Sequence, residues 1–513
     1  MKTLKYILVL GASALLLASC KKSFLELYPE GQMNEGIFYK STQDFEQALT
    51  GAYVPLRDVA NIAFYTDEMR SDNTEYDYNQ KDRGGAGYEQ LADFMDDANN
   101  GVTATRWEAD YNGISRTNVI LDRLASITFN MADSDRNQIT GEAKALRAHY
   151  YFDLVRHYGG VPLYLHEVKT RSTAYLPRAS ADSVYAQIIS DLTDAAGLLQ
   201  PPSFPQTGKI TRGMAETELA LVHMTRQDFA DAVPLLRDVT TMGYTLLPSY
   251  ADVFDPGNKN SRESIFEVQY MAGDQGQQST FMYYFIPATT DTKNILGISY
   301  NNSSHGGWNI PTQNLIDAYE PGDKRLDATV GVIDGHYDAN TDYVPDSVVS
   351  IVGFAGAPNG ETAKLFAKKY LHPPYQEVFN TADNWPVYRY SGALLLLAES
   401  LNETGASADA LPYLNEVRKR AGLGAVTVTD QSALRSAIAH ERRVELALEN
   451  HRWLDLVRTQ EAIPVMTAFG VHQKAIHGYL LPNSYDVTQD RLIFPIPFRE
   501  MQVNSELTQN PGY

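Results

Sequence analysis

Apolar residues recur every three or four positions through much of the chain, the spacing that lays one stripe along an α-helix. Phe45, Leu49, Tyr53, Leu56 and Val59 make one stripe, and Trp107, Tyr111, Ile114, Leu121 and Leu124 a second. A third, Ile139, Ala143, Leu146, Tyr150 and Leu154, runs into Gly159-Gly160 and Pro162, which together mark a helix end. Ser180 reads as the N-cap of a fourth helix whose face is Val184, Ile188, Leu192, Ala195 and Leu199. Pro201-Pro202 stops it, because proline has no amide hydrogen to donate and its ring blocks the turn before it.

A repeat follows. Ala215, Leu219, Ala220, Ala232, Pro234, Leu236 and Val239 are matched by Ala393, Leu397, Ala398, Ala410, Pro412, Leu414 and Val417, each pair offset by 178 residues. Both copies read as two helices with the second entered near a proline, and the alanines permit the close packing of tetratricopeptide-type units. Helical periodicity lapses twice, over residues 64–100 and over 245–388, where Gly, Asn, Thr and Tyr dominate. The second lapse includes a strand-like run, Ser264 to Val268. The pattern therefore predicts a mostly α chain: a helical region over 41–244 with a loop insert at 64–100, a loop-rich lobe over 245–388, and a helical region over 389–513. Residues 41–513 are expected to form one interleaved unit. Loops held out from a rigid frame are where binding residues concentrate.

The N-terminus changes the setting. Lys2 and Lys5 precede an apolar run, Tyr6 to Leu17, too short to span a bilayer and typical of a secretory signal. It closes on Leu17-Ala18-Ser19-Cys20, which resembles a bacterial lipobox. Residues 1–19 are thus expected to be removed, Cys20 to carry lipid, and 20–40 to form a tether. Cys20 is the only cysteine of the 513 residues, so no internal disulfide forms and stability rests on the core. The formal charge is −20, which disfavours nucleic acid as a partner. Tyr is over-represented, 32 residues against 19 Phe and 4 Trp, and its flat face with a polar tip suits wet binding surfaces and sugar rings.

Signatures of catalysis are missing. No His-Glu-x-x-His, nucleophile elbow, Walker loop or Gly-x-Gly-x-x-Gly cradle occurs, and one cysteine makes no thiolate cage. His149, His157 and His166 lack chelating spacing and read as packing or surface residues; no metal or cofactor is expected. A pair of carboxylates for glycoside hydrolysis is a three-dimensional matter that spacing leaves open.

Three stretches resemble the SusD/RagB family of outer-membrane nutrient-binding lipoproteins. They are Glu142 to Leu163 (EAKALRAHYYFDLVRHYGGVPL), Glu441 to Arg458 (ERRVELALENHRWLDLVR), and the C-terminal Phe494-Pro-Ile-Pro-Phe-Arg-Glu-Met ending in Gln509 to Tyr513. The lipobox and Gly307-Trp308 through Tyr319 extend the likeness end to end. Physically these motifs read as scaffold. Arg147 and Asp153 sit on one helix, Arg442, Glu445, Glu449, Arg452 and Asp455 have the spacing of interhelical ion pairs, and Trp453 is a buried anchor. The resemblance implies four tetratricopeptide-like helix pairs, a loop-rich ligand lobe, and a SusC-like TonB-dependent β-barrel partner on which the lipoprotein sits as a hinged lid. It implies capture of oligo- or polysaccharide, or in some members peptide, and no enzymatic activity.

Sugar recognition needs flat rings beside amide and charged groups. The first insert offers Tyr65, Tyr76, Tyr78 and Tyr88 among Asp67, Arg70, Asp72, Asn73 and Asn79. The second offers Tyr283, Tyr284, Tyr300 and Trp308 among Asn301, Asn302 and His305. We expect Trp308, Tyr300, Tyr283, Tyr284, Tyr65, Tyr76, Tyr78, Asn73 and Arg70 to contact ligand. Alternatives are a peptide-binding lid, a surface glycosidase, or an adaptor without its own ligand.

Overall fold

The computed structural model describes residues 38–513 apart from 81, 82 and 359. The signal segment, Cys20 and nearly all of the tether lie outside the described residues. The first stripe forms two helices, α1 (Thr42–Tyr53) and α2 (Pro55–Ala63), because Pro55 opens a new helix at its first position. Ser41 and Asp44 close a capping box on α1. The next stripes form α3 (Gly101–Ala125) and α4 (Asp133–Tyr158), the latter ended by Gly159 at φ +71°. Ser180 caps α5 (Ala181–Leu198) by accepting from the Ser183 amide. The repeat forms α6 (Arg212–Thr225) with α7 (Phe229–Val239), and α8 (Tyr390–Glu403) with α9 (Ser407–Ala421).

Neighbouring helices pack in chain order: α3 on α4, α4 on α5, α5 on α6, α6 on α7. Helix α7 then rests on α8, across the whole 245–388 excursion, and α8 carries both α9 and α10 (Gln431–Glu445). The lobe is therefore extruded between two helices that touch. The repeat's alanines and leucines are all buried, including Ala215, Ala220, Ala393 and Ala398. Contrary to expectation, Pro234 and Pro412 do not open their helices but sit inside them, more than a turn from the start. Both are on the exposed face, as are Ala230 and Ala408, whose carbonyls lose their amide partner and can be hydrated there.

The excursions are less irregular than their composition suggests. Strand β2 (Ser264–Val268) pairs antiparallel with β7 (Trp385–Arg389), so entry to and exit from the lobe lie side by side. Within it, β4 (Val330–Tyr337) is the middle strand of an antiparallel sheet flanked by β5 (Tyr343–Ser350) and β6 (Thr362–Ala367). The first insert begins with a π-helical turn, Phe64–Glu68, and contributes β1 (Thr74–Glu75) and a short helix, Ala86–Ala92. Strand β1 pairs with β3 (Ile310–Pro311) of the second lobe, Thr74 opposite Pro311 and Glu75 opposite Ile310. The two excursions are thereby zipped together by backbone.

The stretch Glu441 to Arg458 is broken. Helix α10 ends at Glu445, Leu448 and Asn450 both take φ +67°, and α11 (Arg452–Arg458) follows. Buried Glu68 organises the break, accepting from the Leu448 amide at 3.0 Å and the Asn450 amide at 2.8 Å. The predicted charges are ion-paired to other elements as well as to one another. Glu445 meets Arg325 and Arg389, each at 3.0 Å, and Arg420. Glu449 holds Lys369 at 2.8 Å and Arg389 at 2.6 Å, while Asp455 holds Arg442 and Arg458. Trp453 is buried, as are Trp107 and Trp385. His149 and His157 face Glu218 and Asp67, and His166 faces Asp122 at the surface. Among the described residues no cluster of His, Cys, Asp and Glu could hold a metal ion.

Candidate functional site

Trp308 is aimed by backbone. Its amide donates to the Tyr284 carbonyl at 2.9 Å, and the Gly307 amide donates to the Ile286 carbonyl at 2.8 Å. Asp77 of the first insert donates its amide to the Gly307 carbonyl at 2.8 Å, one step beyond the β1–β3 pair. Gly306 has to be glycine for this approach: a Cβ there would lie 2.5 Å from the Ile286 carbonyl oxygen. Gly307 turns at φ +92°, a conformation that costs glycine little. From the other side Gly85 meets the indole, where a Cβ would come within 2.5 Å of two ring carbons.

Around this indole stands a wall of rings. Tyr65 and Tyr88 stack on each other at 4.0 Å with 10° between planes, and Trp308 presents its edge to both, at 5.7 and 5.2 Å. Tyr76 tilts against Trp308 at 6.0 Å. Tyr78 stacks on Tyr479 at 4.2 Å and 6°, and its ring also carries the guanidinium of Arg83 at 4.5 Å. Such pairs contribute about 0.5–1.5 kcal/mol each beyond area burial, so the wall is pre-formed.

The wall borders a cleft of 620 Å³ that opens between the two excursions. Tyr78, Tyr88, Tyr284 and Trp308 line it from the ring side, with Asn79, Gln80 and Glu89. Thr290, Ser303, Ser304 and His305 bring hydrogen-bonding groups, and Tyr337, Asp342, Tyr343 and Lys364 close the far side. Lys364 is ion-paired with Asp77, and Arg83 reaches Glu89 at 2.6 Å. Rings beside hydroxyls, amides and charges make the arrangement suited to a polar ligand with apolar faces.

Of the nine residues the sequence proposes, three line the cleft: Trp308, Tyr284 and Tyr78, all half-buried. Tyr65 and Tyr76 are buried behind the wall and support Trp308 from the rear. Tyr76 donates its hydroxyl to buried Asp93 at 2.9 Å. Tyr283 is 0% exposed and packs on Phe379 at 4.3 Å, and Tyr300 stands outside the cleft lining, against Tyr283, Phe379 and His305.

Arg70 and Asn73 are corrections, since both are scaffold. Arg70 is 0% exposed: its guanidinium lies 4.2 Å over Phe94 and 4.7 Å over Phe494 and bonds Asp96 at 2.8 Å. Asn73 bridges Glu68 at 2.9 Å and Arg443 at 2.8 Å. A guanidinium that finds aromatic rings and a carboxylate inside the protein has no reason to face solvent.

Sequence reasoning missed Tyr479, Lys364, Tyr337 and Tyr343. The first belongs to the C-terminal region and reaches the wall from outside both excursions. The other three sit on strands β4, β5 and β6, which the composition of the lobe concealed.

The chain is similar to known proteins along nearly its whole length. The sequence profile described as "SusD family" matches residues 262–513, and one described as "Starch-binding associating with outer membrane" matches residues 23–212. SusD-like protein P38 of Formosa agariphila is 28% identical over 97% of this chain and 96% of its own. A SusD-like protein of Bacteroides ovatus is 25% identical over 89% and 83%. Among solved structures, a laminarin-binding SusD-like protein superposes with a TM-score of 0.74 at 27% identity, covering 93% of this chain and 100% of that one. With the helical frame, the extruded lobe and these matches, the chain belongs to the SusD/RagB family.

Proposed function

We propose that this protein captures a glycan at the cell surface in the cleft beside Trp308 and passes it to a SusC-like TonB-dependent barrel, on which it acts as the lid. The observation that carries the capture reading is the ring wall. A half-exposed indole, fixed by backbone on one side and by stacked tyrosines on the other, faces a polar cleft built jointly by two excursions. A pyranose has an apolar C–H face and a rim of hydroxyls, and this cleft has matching parts. The laminarin-binding relative adds weight to a glycan over a peptide.

Holding, not hydrolysis, fits the charges present. Asp77 and Glu89, two carboxylates that line the cleft, are engaged by Lys364 and Arg83. Membrane association follows the lipobox at Cys20: among the described residues no helix is long and apolar enough to cross a bilayer, so lipid is the proposed anchor.

The test is calorimetry on the soluble chain starting at Lys21, with laminarin oligosaccharides first. Trp308→Ala is expected to weaken binding at least tenfold. Tyr300→Ala, at a residue outside the lining, is expected to change it far less. Equal affinity of wild type and Trp308→Ala would overturn the site. Co-purification with a large β-barrel tests the lid.

A further inference from the structure

We propose that Tyr300, His305 and Phe379 form a second stacking platform, which takes further sugars of a glycan chain as it leaves the cleft. This rests on the capture reading above and adds chain length to it: the ligand is an extended oligosaccharide, not a single sugar or a disaccharide.

The platform is continuous with the cleft. Tyr284 and His305 line the cleft, and their rings lie 6.2 Å apart. The same two rings meet Phe379, at 6.2 and 5.0 Å. Tyr300 extends the row, 6.2 Å from His305 and edge-on to Phe379 at 5.4 Å. All four rings are half-buried. Beneath them Tyr283 is enclosed and supports Phe379 at 4.3 Å and Tyr300 at 6.1 Å. The plan is that of the cleft wall, where enclosed Tyr65 and Tyr76 support the half-buried Trp308.

Phe379 is held in a strained conformation. Its φ is +53°, in the left-handed region that bulky side chains rarely take. Such strain persists only where the surroundings over-determine it, and it collects at ligand clamps. Here the surroundings act from both sides of the residue. The Tyr283 hydroxyl donates to the Glu377 carbonyl at 3.3 Å, and Ser279 and Thr381 exchange amide-to-carbonyl bonds at 3.0 and 3.1 Å. Tyr300 is fixed through its carbonyl, which accepts from the Thr292 amide at 3.0 Å. Both rings are thus presented by anchored backbone, as Trp308 is.

The segment from Tyr300 to His305 carries the exposed Ser303 and Ser304, which also line the cleft. Their hydroxyls can meet those of a sugar chain where it crosses from one platform to the next. Two platforms bridged by one ligand act as linked sites. A chain long enough to reach both binds the second intramolecularly, so affinity steps up at the spanning length and then levels off. A short chain occupies the cleft alone.

The experiment is calorimetry on the soluble chain from Lys21 with length series, disaccharide to octasaccharide, prepared from laminarin, xylan and amylose. In a series that binds through Trp308, affinity is expected to step up about threefold between short and long members. Phe379→Ala and, separately, Tyr300→Ala are expected to remove the step and leave the short members bound as in wild type. Retained short-chain binding also shows that each variant is folded. Tyr300→Phe keeps the ring and is expected to keep the step, whereas Trp308→Ala weakens every length. Affinity that is flat with length, a step that survives both alanine variants, or a loss equal at every length in both would overturn this inference and leave capture standing. No binding in any series would overturn both.

Discussion

Asp93 shows how a single carboxyl records its surroundings. Burial moves its acid from the ordinary 3.8 to about 7, against the hydrogen bond from Tyr76 and with the help of Glu89. Between those two values the folded state keeps a proton that the unfolded chain releases, so folding loses stability as pH rises through that window. Above pH 7 the acid is ionised in both states and the full penalty stands, bounded by about 4 kcal/mol. Asp93→Asn keeps an acceptor for Tyr76 and removes the charge. Its melting temperature is expected to exceed that of the wild type at pH 8 and to match it at pH 4, which a pair of thermal melts decides. At this scale the sequence was legible in part. Tyr78, Tyr284 and Trp308 could be singled out as rings amid polar residues, but which face of a loop turns inward depends on partners far away. Arg70 sits between Phe94 and Phe494, and nothing within a few residues of it announces the second.

Elements were more legible, because helix ends carry their own chemistry. Ser180 and Gly159 each mark a boundary where the structure has one, whereas Pro55 divides a stripe that reads as one helix. Pro234 and Pro412 mislead for a physical reason: on a solvent-facing side a helix tolerates the lost bond, so proline there is not a terminus. The break between α10 and α11 is harder to foresee, since it is made by Glu68 from another element. Around that break lies a buried hub in which Glu445 faces the guanidiniums of Arg325, Arg389 and Arg420. Burial alone would raise its acid, yet Arg420, Arg389 and Arg325 hold it well below the usual carboxylate range. Removing one member of such a cluster strands its partners in a dry interior, at about 3–5 kcal/mol. Glu445→Gln is therefore expected to lower the melting temperature by several degrees, read by calorimetric scanning, while glycan affinity of the folded fraction stays unchanged.

For the molecule as a whole, the helical frame followed from periodicity, whereas the joining of the two excursions did not. That joint is a two-residue ladder, Thr74–Glu75 against Ile310–Pro311, too short to leave a pattern in either segment. It nevertheless brings the rings of one excursion to the polar groups of the other and so creates the cleft. Of the four tryptophans, Trp107, Trp385 and Trp453 are enclosed, and Trp308 alone is part-exposed. The protein accordingly carries a built-in optical gauge. A saccharide laid on that indole displaces water from one fluorophore while the other three stay silent, so the emission maximum should move with occupancy in an unlabelled titration and stay still in Trp308→Phe.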